Sequence, residues 1–497
     1  MTRVLPQFLV LPRVPLWLGA LLSSVLLSFA LRPIGLGGLA LVALVPVIVA
    51  LNAEKSIWRA GLYTYGVAIG GVWVAIEGLV LEYPWVYGIG VFGYALAFSL
   101  VGMGCVWLRR FWGSRAILFF PVTWVTVEFL ISQPALLRNW ANPIMAIGYT
   151  QFDTPLLQAT RWSGVTGVSF LVMACNAALA YGLLEYRRWL AWLPLVLVLL
   201  VSSLASFMPL NSTQAIGKPF RVGIAQAYLP TLEYTIADFD AGVQALITQR
   251  YKILMAKLIK NGAQLVVLPE TAFGGWYSNL AQNKILQDAL RGVSLALVGV
   301  KTSYQLGELR EEGRNAILEY QREAGQLREV YAKQLPIPLT EAGFSKGKNI
   351  GLVRLGGVIF GLGICWENTF PGLARATVLG GAQVLVYQNS LLWAGATATP
   401  VLHQRISAFR AVETGRMVIH ATAGGASAII DYTGHIVEAA PQTFETTLVG
   451  LVQARTGLTP FAQFGDWFGI LCSFAFFGCF VSLFYQKMRQ SNAAQPA

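Results

Sequence analysis

At 497 residues the chain is long enough for more than one domain, and with 55% hydrophobic but only 12% charged residues it is not an ordinary soluble protein, where about a quarter are charged. The net charge of +12, from 36 basic and 24 acidic side chains, reads as membrane topology rather than a nucleic-acid footprint. A glycine-rich phosphate loop, paired CxxC motifs and an HExxH among the three histidines are all missing, which leaves nucleotide and zinc chemistry without support.

The first half is a series of apolar runs. Residues 15–31 and 37–52 approach the roughly 20 residues that a spanning helix needs, and further candidates fall at 60–80, 87–108, 116–131, 164–184, 189–208 and 467–486, about eight spans in all. Ser28-Phe29-Ala30 loosely resembles a signal-peptide cleavage site, but the succession of hydrophobic segments favours an uncleaved first span. Flanking charges alternate. Arg3, Arg13, Lys55, Arg59, Arg109, Arg110, Arg115, Arg187, Arg188, Lys487 and Arg489 share one side; the opposite loops hold Arg32, Glu77, Glu82, Arg138 and Arg161. By the positive-inside rule both termini are expected to be cytoplasmic and residues 209–465 to lie outside. Trp73, Trp85, Trp124, Trp140, Trp162 and Trp467 near the span ends fit an aromatic belt. The segment 132–163 is too polar to span and reads either as a partly inserted loop over a lipid entry or as a plain connection. Cys105, Cys175, Cys472 and Cys479 lie in apolar runs and are read as packing residues.

Near residue 210 the pattern changes. Pro209 through Pro219 is a polar linker, after which strand-like runs alternate with helical ones: strands at 221–229, 263–270, 295–302, 315–320, 357–367, 382–390, 415–423 and 427–434, with helices at 237–261 and 403–416. This alternation predicts an α/β domain over 210–465, between a seven-helix membrane domain (1–209) and a last transmembrane helix with a short tail (466–497).

Three residues carry candidate chemistry. Glu270 closes the buried run VVLPE, where desolvation makes a carboxylate a better proton acceptor, although a single loop-start acid is as often solvated. Lys333, in YAKQLPIPLTE, has the charge to stabilise an oxyanion, or is a surface lysine. Cys365, in GICWE, ends a strand before a sharp turn and is the only cysteine between residues 210 and 465; it is a nucleophile or a small buried hydrophobe. His403, His420 and His435 are read as scaffold, with ion pairing along 403–416.

In order and local context, LPE, YAKQLPIPLTE and GICWE resemble the nitrilase (carbon–nitrogen hydrolase) superfamily. With TYGVAIGGVWVAIEG (64–78), NPIMAIGYTQFDTPLLQAT followed by GVSFLV, and RTGLTPFAQFGDW (455–467), nearly the whole chain is similar to its membrane branch, the apolipoprotein N-acyltransferases. The resemblance implies about eight spans, a four-layer α-β-β-α sandwich inserted before the last, and a site facing the membrane. It makes Glu270 the general base, Lys333 the oxyanion stabiliser and Cys365 the nucleophile. Glu341, Trp366 and Glu367 become supporting residues, and Tyr234, Asn389 and Trp393 candidates for substrate binding. No metal or cofactor is implied; the partners are a phospholipid acyl donor, a diacylglyceryl-apolipoprotein acceptor and the bacterial inner membrane. The chain departs from the family pattern at Asn389-Ser390-Leu391-Leu392-Trp393, at Glu341-Ala342-Gly343-Phe344 and at Thr422-Ala423-Gly424-Gly425. These departures touch the pocket walls and leave open a paralogue with another amine acceptor, a membrane-tethered amidase, or a non-enzymatic scaffold or transporter.

Overall fold

The computed structural model describes residues 14–73, 77, 78, 80, 84–209, 212–278, 284–305 and 311–493. Arg3, Arg13 and Glu82 of the charge pattern lie outside the described residues, as do the side chains of Lys487 and Arg489.

The apolar half is helical. Four runs among the described residues are long and apolar enough to cross a membrane: Pro84–Ile131, Pro155–Leu184, Trp189–Phe207 and Trp467–Gln486. The expected eight spans are thus not resolved as eight helices. Pro84–Ile131 combines two expected spans, its helices Pro84–Trp112 and Phe120–Ile131 being joined by a 3-10 turn at Gly113–Phe119. The expected span at 37–52 is a 3-10 turn followed by Val45–Leu51, a helix of seven residues that rises only about 10 Å. Leu16–Leu31 is likewise short, at 16 residues. Pro46, in the first turn of Val45–Leu51, keeps the 37–52 segment from continuing as one helix, a local effect that hydropathy does not register.

The second half is a sandwich of two sheets. One has the strand order Ile436–Ala439, Ala428–Ile430, Met417–Ala423, Val384–Ser390, Val358–Ile364, Gly351–Leu355. The other runs Thr446–Val452, Phe220–Gln226, Leu265–Val267, Leu295–Gln305, Glu311–Gln321, Gln326–Ala332, with the short Trp276–Tyr277 added beside Leu295–Gln305. Alternation along the strands builds three layers of core. Val222, Ile224, Val267 and Ile317 face Phe360, Leu362, Val386 and Ile419 between the sheets. Ala225, Val266 and Val298 turn outward onto the helix Ala241–Lys260. Leu385, Tyr387 and Val418 turn the other way, onto the helices Pro371–Leu379 and Thr399–Thr414. The layers are therefore α-β-β-α.

Polar side chains join the two halves. Arg410 and Glu413, both fully buried on the helix Thr399–Thr414, pair at 2.9 Å. Arg410 also donates to the Tyr149 hydroxyl (3.1 Å) and to the Thr369 carbonyl (3.2 Å). Glu413 accepts from the Val165 amide (2.8 Å), which is free of the helical ladder because Thr160–Leu184 breaks at Gly164, φ +70°. A Cβ at Gly164 would stand 2.6 Å from the Phe461 ring, so both backbone and space demand glycine there.

Candidate active site

Parallel strands in each sheet end on the same edge of the sandwich, and the candidate residues stand just beyond those ends. This is where open α/β sheets present ligand sites. Leu265–Val267 runs out through Leu268-Pro269 to Glu270, and Val358–Ile364 delivers Cys365 into the 3-10 turn Cys365–Thr369. Lys333 follows the strand Gln326–Ala332, anchored by its own amide to the Asn315 carbonyl (2.8 Å). Thr271, Leu339 and Cys365 have positive φ (50°, 70° and 55°), three of the six such non-glycine residues among those described. Backbone held in this region costs about 1–3 kcal/mol per residue and collects where side chains must be aimed. Gly299 makes the approach possible: a Cβ there would lie 2.6 Å from the Glu270 Cα.

The charged groups form one cluster. Lys333 Nζ lies 2.8 Å from Glu341 Oε1 and 3.3 Å from Glu270 Oε1, with the lysine only 1% exposed. Asn315 Nδ2 donates to the same two oxygens (2.6 Å to Glu270, 3.1 Å to Glu341). The second oxygen of Glu270 accepts from the Ser390 amide (2.8 Å) and that of Glu341 from the Ile337 amide (2.7 Å). Burial raises the pKa of Glu270, and Lys333 opposes it. Burial also works against the Lys333 ammonium, but Glu270 and Glu341 outweigh it and hold its pKa well above the ordinary value. Cys365 is raised well above its ordinary value by burial and then by Glu270, against Lys333 and the Trp366 amide. Burial and the neighbouring Glu270 thus favour the neutral thiol of Cys365 over its thiolate.

Glu367 is a strut rather than a solvent-facing acid. Its Oε2 accepts from the Tyr331 hydroxyl and the Ile364 amide (both 2.8 Å), and its Oε1 from the amides of Gln334 (2.7 Å) and Leu335 (3.1 Å). One carboxylate thus ties the lysine loop to the turn that begins with Cys365. Trp366 Nε1 donates to the Leu335 carbonyl and adds a second tie.

Cys365 also opens into an apolar cavity of about 300 Å³. Its walls come from both halves of the molecule: Val86, Ile89 and Gly93 of the helix Pro84–Trp112; Leu137, Asn139 and Trp140 of the following loop; and Ile337, Trp366, Trp393 and His403 of the sandwich. Asn139 Nδ2 donates to the Pro336 carbonyl (2.9 Å), pinning the segment 132–163 onto the lysine loop as a roof. Cys365 stands between a charged cluster and an apolar chamber.

The other candidates are placed differently. Trp393 lines the cavity, its Nε1 donating to the Ser390 carbonyl (3.0 Å). Asn389 is fully buried behind it, against His420 Nδ1 (3.3 Å). The structure does not bring Tyr234 to the cavity: it lies in the outer helical layer, its hydroxyl 3.4 Å from that of Tyr251. Conversely, Asn315 and His403 belong to the site although neither was singled out for chemistry. The signal for Asn315 is an asparagine inside an apolar strand run, a position where that residue is depleted.

A family model described as Apolipoprotein N-acyltransferase N-terminal domain matches residues 23–178, and one described as Carbon-nitrogen hydrolase matches residues 222–461. An apolipoprotein N-acyltransferase of Geobacter metallireducens is 29% identical over 504 residues, covering 94% of this chain and 95% of that protein. One of the same name from Methylococcus capsulatus is 29% identical over 495 residues, covering 91% and 94%. Among solved structures, Saccharomyces cerevisiae Nit3, described as a member of branch 10 of the nitrilase superfamily, aligns at 17% identity and a TM-score of 0.40, over 48% of this chain and 92% of that one. With both halves matched in order and relatives alike from end to end, the chain belongs to the apolipoprotein N-acyltransferase family and carries a carbon–nitrogen hydrolase domain.

Proposed function

We propose that this chain is a phospholipid:apolipoprotein N-acyltransferase, and that Glu270, Lys333 and Cys365 perform the transfer. The observation that carries the reading is the placement of Cys365, with the charged cluster on one side and a cavity walled by the helix Pro84–Trp112 on the other. A hydrolase of small polar amides has no use for such a chamber; an acyl chain fits it.

In the first step Glu270 takes the thiol proton as the sulfur attacks the ester carbonyl of the phospholipid. The oxyanion is stabilised by Lys333 and the Trp366 amide. The tetrahedral adduct collapses, the C–O bond breaks, and Glu270 returns the proton to the departing lysophospholipid oxygen. A thioester remains on Cys365. In the second step the α-amine of a lipidated N-terminal cysteine attacks that carbonyl, Glu270 receives a proton from the amine, and the sulfur leaves to be reprotonated. Glu341 holds Lys333 in place through both steps. The apolar walls keep water scarce, so aminolysis outruns hydrolysis.

The same reading divides the chain into a membrane domain (1–209), a catalytic domain (210–465) and a final span with a short tail (466–497). It assumes about eight passes in the bacterial inner membrane, cytoplasmic termini and a periplasmic or extracytoplasmic sandwich. The distribution of Lys55, Arg59, Arg109, Arg110, Arg115, Arg187 and Arg188 supports that orientation.

The test is intact mass after incubation with phospholipid, for the native protein and Cys365→Ala. A gain of one acyl chain on the native protein alone, removed by hydroxylamine and discharged by a diacylated lipopeptide, is expected. No gain from any phospholipid would refute acyl transfer.

A further inference from the structure

The sheet stops short of the chemistry. Backbone pairing between the strands Val358–Ile364 and Val384–Ser390 ends at Ile364 against Gln388, one residue before Cys365 and two before Ser390, whose amide holds Glu270 (2.8 Å). Beyond that point the spacing of the sulfur and its candidate base depends on side chains. Glu367 ties one flank of the turn Cys365–Thr369 to the lysine loop. The other flank is held by Asn368.

Asn368 reaches into the helix Thr399–Thr414. Its Nδ2 donates to the His403 carbonyl (2.9 Å) and to Ser407 Oγ (3.0 Å). A carbonyl only accepts, so the amide is oriented, and its Oδ1 receives the Nδ1 proton of His403 (3.2 Å). Ser407 accepts the Asn368 proton on a lone pair and has its own hydroxyl proton to donate to His420 Nδ1 (3.0 Å). Asn389 donates to the same nitrogen (3.3 Å), its Nδ2 likewise oriented by the Tyr387 carbonyl (3.4 Å). With two donors on Nδ1, His420 carries its proton on Nε2. Burial, and next the neighbouring His403, lower the His420 pKa to about 3, so the ring stays neutral and Nδ1 remains an acceptor.

These bonds make one directed chain from the Cys365 turn through a helix and the strand Met417–Ala423 to the strand that ends at Ser390. Asn368, Ser407, His420 and Asn389 are fully buried, and none of the four is among the cavity walls. They therefore reach the chemistry only through the position of the groups they hold. A break anywhere leaves a buried polar group unpaired. We infer that Ser407 and His420 are positioning residues which, through Asn368 and Asn389, fix the separation between Cys365 and Glu270 for the proton transfer that opens acylation. This rests on the acyl-transfer reading above.

The experiment reads acyl-enzyme formation from phosphatidylethanolamine vesicles in the full-length protein, by intact mass in single turnover. The variants are Ser407→Ala, His420→Leu, His420→Asn and the double variant Ser407→Ala with His420→Leu. Ser407→Ala and His420→Leu are each expected to slow acylation about tenfold at saturating lipid, the scale of one lost neutral hydrogen bond, with the half-saturating lipid concentration unchanged within about twofold. His420→Asn, whose Oδ1 takes the place of Nδ1 as acceptor for Ser407, is expected to recover most of the rate. Because either change severs the same chain, the double variant is expected to match the slower single one rather than fall about a hundredfold. Native rates in both single variants would overturn the assignment while leaving acyl transfer intact, and so would losses that multiply in the double variant. A change confined to the half-saturating lipid concentration would place the effect in lipid binding and overturn it too. A Ser407→Ala protein that no longer folds, or His420→Asn as slow as His420→Leu, would overturn it in favour of a packing role. No acyl-enzyme on the native protein would overturn the transfer reading and this assignment together.

Discussion

Replacing Glu367 by glutamine tests whether the strut sets the geometry of Cys365, the proposed nucleophile. The carboxylate receives three backbone amides and one hydroxyl. A glutamine has one oxygen and one NH2 in their place. With its oxygen toward Gln334 and Leu335, the NH2 donates to the Tyr331 hydroxyl, but it faces the Ile364 amide donor to donor. With the amide reversed, two backbone donors of the lysine loop are orphaned instead. The cheaper arrangement still leaves one buried N–H unsatisfied, about 1–3 kcal/mol, and weakens the remaining bonds, which were assisted by charge. The lost donor belongs to Ile364, adjacent to Cys365, so the cost falls on the turn that aims the sulfur. Acyl-enzyme formation in Glu367→Gln is expected to fall about 10- to 100-fold, with a lower midpoint of thermal unfolding in detergent. Burial pushes the Glu367 pKa up, and the Ile364 amide leads the groups that oppose it. Native rates and native melting in Glu367→Gln would refute the reasoning, because they would mean that the carboxyl is held protonated and that the amide is an adequate copy.

Two further outcomes are expected. In Asn315→Leu, the ionised form of Glu270 loses the 2.6 Å donor that counters burial, so its pKa moves further up. If Glu270 is the base, as proposed, it must be ionised to take the thiol proton, and the acid limb of the acylation profile shifts to higher pH, by about one to two units for a hydrogen bond to a charged group; an unshifted limb would exclude Glu270 as the base. Gly93 lines the cavity with nothing within 4 Å of where a Cβ would stand, so Gly93→Phe fits without a backbone clash and fills part of the chamber. Acylation by long-chain phospholipids is expected to drop at least tenfold while short-chain esters still react, and an equal loss for both would show that the acyl chain lies elsewhere.

The α/β character and the three chemical motifs were readable because each motif is contiguous. A buried strand ending in an acid or a cysteine, and a lysine between prolines, keep their signature in a few residues. What joins them is not contiguous. Asn315 reaches Glu270 across a sheet and Thr399 lines the cavity from a different layer, so neither has a local pattern. The strands Thr446–Val452 and Gly351–Leu355 were not anticipated: the first buries only Leu448 and Val452, and the second is five residues long. Hydropathy marked the apolar segments but not their breaks: 37–52 reads as one run and folds as a turn with a stub of helix. Tyr234 was placed by likeness alone, and its ring is spent on packing against the helix Ala241–Lys260.

The buried Arg410–Glu413 pair has a consequence for anyone wishing to work with the sandwich alone. Both charges lie in the sandwich, yet part of their lining, the Tyr149 hydroxyl and the Val165 amide, is lent by the other half. Cutting the chain at the linker would wet the pair and leave the Thr369 carbonyl, at the far end of the turn that begins with Cys365, to Arg410 alone, without the Tyr149 hydroxyl. With a domain's whole margin of stability only about 5–15 kcal/mol, the excised piece would fold poorly or fold with its sulfur misdirected. Chimeras meet the same constraint: a sandwich from one relative spliced onto helices from another must keep Tyr149, Gly164, Arg410 and Glu413 as a matched set, with the amide of residue 165 free to donate.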